Sequence, residues 1–205
     1  MNRPAALPSP RRRRGRAATI AAIVLACAIA PAAPPFRPSV AAGGTPPEVK
    51  QGFIARYVGK PAPAFSLRDL QGKTVGLGDF RGKVVLLNFW FSACFPCRQE
   101  TPDLIQLYRL HKDRGLVVLG INTDALVMGD PGGAALKRFL AQYPIPYPVL
   151  KADMKMYRDY GSAPIQPISF LIDRQGKVSQ VFWGARPGAL FDRAVRPLLA
   201  AAPGR

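Results

Sequence analysis

Cys94-Phe95-Pro96-Cys97 is the stretch of this sequence best equipped for chemistry. Two cysteines separated by two residues on the first turn of a helix bring their sulfurs close enough to bond. Such a pair gives up two electrons when it closes from dithiol to disulfide, and takes them back when it opens. The residues ahead of it matter as much, because Val84 to Phe91 is a nearly unbroken apolar run of the kind that forms a strand buried on both faces of an α/β sheet. The cysteines therefore fall where a buried strand gives way to a helix. Free amide donors and the helix dipole at that point favour a thiolate on the first cysteine by lowering its pKa. Cys94 is the expected nucleophile and the more exposed of the pair. Cys97, one turn further in, is expected to resolve the mixed disulfide and release the reduced partner.

Other uses of two cysteines fit less well. A zinc half-site needs two more Cys or His ligands, and the domain offers only His111, read here as a surface residue of the helix among Leu110, Lys112 and Asp113. No metal or other cofactor is expected. A static disulfide closing so short a loop adds little stability. Trp90 and Phe91 are assigned to packing, with a secondary place as a lip for substrate.

The elements that must hold the pair follow from periodicity. A helix is expected over about Pro96 to Lys112, with Cys97, Thr101, Leu104 and Tyr108, together with Ile105 and Leu107, at three- and four-residue spacing. Pro102 inside it removes the bond to the Arg98 carbonyl and should kink it. Leu116 to Ile121 reads as a second buried strand and Gly133 to Tyr143 as a second helix. Ile168 to Ile172 and Val178 to Trp183 read as an antiparallel hairpin about Asp173 to Lys177. Pro187 to Ala201 closes the chain as a helix with Leu190, Ala194, Leu198 and Leu199 on one face. An extra strand pair is expected around Thr74 to Leu77, behind the turn at Gln71-Gly72. The order predicts an α/β domain over residues 54–202, a mixed central sheet with helices on both faces.

Charge is less informative than it looks. The chain of 205 residues carries +17, but six arginines lie in its first 16 residues, and setting them aside leaves +11. The remaining cations are scattered singly through apolar patterns, so nucleic-acid binding is not expected. The basic start, ending at Arg16, is followed by an uncharged run from Ala17 to Ala30 that stops at Pro31. Residues 1–30 therefore read as an export signal or membrane anchor, with the run shorter than the roughly 20 residues of a spanning helix. The arginine pairs do not make a clear twin-arginine motif. Cys27, after Val24-Leu25-Ala26, resembles the lipobox at which bacterial lipoproteins are cleaved and acylated; the other reading is a small apolar residue within the signal. Residues 31–53, rich in Pro, Ala and Gly, read as a tether. The protein is expected outside the cytoplasm, touching a membrane only through its amino-terminal segment.

Three stretches resemble the thioredoxin superfamily, and within it the TlpA and ResA-like exported thiol-disulfide oxidoreductases. They are Val58-Gly59-Lys60-Pro61-Ala62-Pro63-Ala64-Phe65, Arg81 to Trp90 leading into Cys94 to Pro102, and Pro167 to Lys177, which bracket roughly residues 57–199. The resemblance implies a thioredoxin fold and a monomer that reduces disulfides of protein substrates outside the cytoplasm, often those of apocytochrome c. It also implies a membrane thiol reductase as electron donor. By the same resemblance Pro167 matches a cis-proline lying against the cysteine pair, with Pro164 the competing candidate. The backbone ahead of it, at Gln166, then pairs with a substrate strand, and Phe95 and Pro96 lie where that substrate passes. Glu100 matches an acidic residue that exchanges a proton with the buried thiol, a role that needs a carboxyl whose pKa is raised by burial. Ala93, where Trp is common, and Phe95 between the cysteines depart from the family pattern and bear on redox poise.

Three other activities fit the same fold. A peroxidase needs a hydroxyl residue three positions before its reactive cysteine, where this chain has Phe91, with Ser92 one residue out of register. A disulfide-donating oxidase is the same exchange in reverse. A copper carrier would hold a soft metal between the sulfurs, but carriers on this fold use a wider cysteine spacing and a late histidine, and no histidine follows His111.

Overall fold

The computed structural model describes residues 47–130 and 133–201. The expected export signal, Cys27 and most of the tether lie outside the described residues. The elements in chain order are α1 (Pro47–Tyr57), β1 (Ser66–Arg68), β2 (Thr74–Gly76), β3 (Val84–Trp90), α2 (Phe95–His111), β4 (Leu116–Asn122), α3 (Asp124–Val127), α4 (Ala134–Gln142), β5 (Val149–Lys151), α5 (Met154–Asp159), β6 (Ile168–Ile172), β7 (Val178–Trp183) and α6 (Gly188–Ala200).

Five strands form one mixed sheet in the order β5-β4-β3-β6-β7, with β3, β4 and β5 parallel and β6 and β7 antiparallel to their neighbours. β1 and β2 make a separate antiparallel pair, in register Leu67 opposite Val75. This is the thioredoxin fold with the extra strand pair. β3 is buried at every position because helices cover both faces of the sheet. Alternation sends Val85, Leu87 and Phe89 into one core with Tyr57, Tyr160, Phe170 and Trp183, and sends Val84 and Leu86 into the other with Leu104, Phe191 and Val195. Asn88 and Trp90, in the same phase as Val84 and Leu86, therefore point to the side on which α2 lies.

Three sequence expectations are corrected. The expected tether ran to residue 53, but Pro47–Tyr57 is helical, because Phe53 packs edge-on against Trp183 at 5.1 Å and Ile54 joins the same core. His111 is 1% exposed while its neighbour Leu110 is 63% exposed. At 100° per residue His111 stands four residues after Leu107 and seven after Leu104, on the buried stripe, and Leu110 falls outside it. The buried face of α6 is Phe191, Val195 and Leu199, with Leu198 and Ala194 alongside, and Leu190 is 40% exposed. The strand β5 and the short helices α3 and α5 were not expected. α2 runs on through Pro102 as one helix.

Candidate functional site

The site is assembled at the carboxyl ends of β3 and β4 and the start of β6. Cys94 is the N-cap of α2, in extended conformation, and Pro96 occupies the first turn, where its missing N–H is not needed. Cys94 and Cys97 are joined as a disulfide, with Cα atoms 5.2 Å apart. The Cys97 backbone N–H donates to Cys94 Sγ at 3.1 Å, so a helix-terminal amide is aimed at the sulfur of Cys94. The expected contrast in exposure is small in this oxidised state: Cys94 is 4% exposed and Cys97 2%. Cys94 is covered from the β6 side, where Gln166 O lies 3.5 Å from its Sγ. The Gln166–Pro167 bond is cis, so the cis-proline is Pro167 and not Pro164. Phe95 stands 69% exposed beside the pair, with Pro96 also exposed. Trp90 is buried and packs on Phe139 with ring centroids 4.4 Å apart, and Phe91 is half-buried at the edge of the same cluster.

Glu100 is 3% exposed. It lies three residues after Cys97 on α2, and therefore on the same face of the helix. Its Oε1 accepts from Asn88 Nδ2 at 2.9 Å and its Oε2 from the backbone N–H of Arg186 at 2.8 Å. Both donors are uncharged groups, so they do not offset the loss of water. Burial pushes the carboxyl from the ordinary 4.5 up to about 7, against the pull of those hydrogen bonds and of the Arg186 charge. A cleft of about 310 Å³, lined by Gln99, Glu100, Asp103, Ala185, Arg186 and Pro187, leads to it from the surface.

Sequence reasoning missed the residues that tie the three loops together. Asp124 is 2% exposed and accepts from the Ser92 backbone N–H at 2.7 Å and from Ser92 Oγ at 2.5 Å. The Ser92 hydroxyl is thus engaged away from the sulfurs. Arg98 donates from Nε and a terminal nitrogen to Ser92 O, at 3.1 and 2.9 Å. Thr123 Oγ1 donates to Gln166 Oε1 at 3.0 Å, which holds the segment ahead of Pro167 to the end of β4. Little in the spacing of these residues marks them, because Asp124 lies 32 residues from Ser92 and Gln166 lies 43 from Thr123; only the Arg98 contact to Ser92 is local. Within the described residues, no cluster of three or more His, Cys, Asp or Glu is placed to hold a metal ion.

Comparison with known proteins agrees with this geometry. The model of the AhpC/TSA family matches residues 58–181. The chain is similar to the thiol-disulfide oxidoreductase ResA of Bacillus cereus, 37% identical over 139 residues covering 65% of this chain and 76% of that protein. It is also similar to ResA of Bacillus subtilis, 35% identical over 127 residues covering 62% and 67%. Among solved structures, a protein assigned as the thiol:disulfide interchange protein DsbE of Chlorobium tepidum aligns with a TM-score of 0.62 at 37% identity, over 70% of this chain and 98% of that one.

Proposed function

The chain belongs to the AhpC/TSA family and is a thiol-disulfide oxidoreductase of the ResA type, and on that premise we propose that it reduces protein disulfides outside the cytoplasm through Cys94 and Cys97. The observation that carries the reading is the Cys97 amide directed at Cys94 Sγ at the start of α2. In the reduced protein the same amide and the helix dipole favour a thiolate there. That thiolate attacks one sulfur of a substrate disulfide, forming a mixed disulfide and expelling the other sulfur as a thiolate. Cys97 loses its proton to Glu100 and attacks Cys94 Sγ, so the substrate leaves as a dithiol and the pair closes to the disulfide state. The substrate gains two electrons and two protons, and the protein loses the same. Phe95, Pro96 and the Gln166–Pro167 backbone form the face on which an extended substrate segment lies.

Residues 1–30 export the chain and residues 31–46 tether it, with Cys27 an acylation site if the lipobox is used. By resemblance the substrate class includes apocytochrome c, and electrons return from a membrane thiol reductase to a monomer. The test is reduction of a disulfide-bearing protein with dithiothreitol as donor. Wild type accelerates it, Cys94→Ser does not, and Cys97→Ser accumulates a mixed disulfide. Tight copper uptake without turnover, or peroxide consumption faster than disulfide reduction, contradicts the reading.

A further inference from the structure

Asn88 is anomalous in its own strand. β3 is buried along its whole length, and its other six residues are apolar. A buried amide is costly unless its hydrogen bonds are made, and a leucine or valine would fill the position without that cost. Directly opposite, in the antiparallel register with β6, stands Ser169, 1% exposed and the only polar residue of that strand. The two are joined, Asn88 Nδ2 donating to Ser169 Oγ at 2.9 Å. A pair serving the sheet alone would close on itself. This one does not, because the same nitrogen also reaches across to α2 and donates to Glu100 Oε1 at 2.9 Å.

From this arrangement we infer that Asn88, anchored by Ser169, is a positioning residue that holds the Glu100 carboxylate on the Cys97 face of α2 and favours its charged, proton-accepting form. The inference rests on the role given to Glu100 above. A carboxylate oxygen accepts two such donors, the Asn88 amide on one side and the Arg186 backbone N–H on the other, so the side chain is fixed at both oxygens. The charged and titratable groups that face it are few. Asp103 on the same helix opposes its ionisation and the Arg186 guanidinium, from the segment between β7 and α6, favours it. Tyr147, ahead of β5, is held neutral by burial. The cysteine pair does not titrate while oxidised. The cleft onto Glu100 is lined by none of Cys94, Phe95, Pro96, Gln166 or Pro167. Glu100 can therefore return its proton to solvent while a substrate covers the cysteines.

The composition of the chain makes the test clean, since its only glutamates are Glu48, which is exposed, and Glu100. The oxidised full chain, carrying ¹³C at glutamate Cδ, is titrated by NMR. In Asn88→Ala the Glu100 midpoint rises by about one pH unit, a tenfold gain in proton affinity, while Glu48 stays put. Ser169→Ala moves Glu100 the same way by less, and serves if Asn88→Ala fails to fold. A Glu100 midpoint that is unmoved or lowered in the folded variant overturns the inference. The pH profile of disulfide reduction separates this from the reading it rests on. The profile shifts with the NMR midpoint in Asn88→Ala and ceases to shift once Glu100→Gln is added. A profile indifferent to Glu100→Gln overturns the proton-acceptor role itself, whatever the NMR midpoint does.

Discussion

The two ends of α2 each bury a titratable side chain, and they treat it in opposite ways. At the amino end Glu100 meets only uncharged donors, the Asn88 amide and a backbone N–H, with the Arg186 charge further off. At the carboxyl end His111 Nε2 lies 2.6 Å from the carboxylate of Asp192 on α6. The first arrangement compensates the charge only in part, so burial prevails and the carboxyl titrates at about 7. The second gives the ring a direct partner and ties two helices that pack over the same core. One helix thus carries its chemistry and its fastening at opposite ends, and disruption at each should be felt by a different assay.

The largest effect falls at the amino end. Cys94→Ser should lower disulfide reduction by about 1,000-fold or more, as expected when the attacking thiolate is removed, with the thermal midpoint of the reduced protein nearly unchanged. A variant that keeps a tenth of its turnover breaks the division. Glu100→Gln comes next, with turnover reduced about 100-fold where proton transfer limits it. The same substitution reverses sign in stability. Because folding raises the Glu100 carboxyl from 4.5 to about 7, its contribution to stability is complete below pH 4.5 and is lost as pH rises through 7. Wild type should lose about 3 kcal/mol across that window relative to Glu100→Gln, which stays neutral. Urea unfolding at pH 4 and pH 8 measures the difference.

At the carboxyl end the pattern inverts. His111→Ala should cost about 2–4 kcal/mol of stability by opening a cavity and removing the bond to Asp192, which keeps only Arg196 at 3.6 Å, and turnover of the folded fraction should stay within about twofold of wild type. Loss of turnover without loss of stability would place His111 in the chemistry. The smallest effect is expected from Thr123→Val, which removes the bond to Gln166 for about 1 kcal/mol and loosens the segment ahead of Pro167. A few-fold rise in KM with kcat kept sharpens the comparison, since it assigns that loop to substrate seating.

How much of this was legible depends on how local the cause is. The buried run Val84 to Phe91 ending at Cys94 announces strand, helix and redox pair together, because all three are nearest neighbours in sequence. The hairpin of β6 and β7 shows its own boundaries, with Asp173 and Gly176 marking the turn between two apolar runs. β5 hides because it is three residues long and follows the proline-rich stretch before it, and its partners, β4 and a single bridge to Asp69, are distant in sequence. α1 hides because its apolar residues are few and gain their meaning only against residues distant in sequence, Phe170, Tyr160 and Trp183. Asn88, Ser169, Asp124 and Thr123 look like ordinary polar residues until the fold brings their partners to them. His111 was misplaced for a simpler reason. Its neighbours in sequence suggested a surface, and the helical phase put it on the core side while Leu110 went to solvent.

The measurement closest to the heart of the account is equilibration of the full chain in buffers of graded thiol-disulfide ratio, followed by alkylation and mass mapping of each cysteine. A single two-electron transition in which Cys94 and Cys97 pass together from both free to both bonded is the predicted result. A pair locked in one state across the whole range, or a Cys94 that bonds to another cysteine of the chain in place of Cys97, would contradict it.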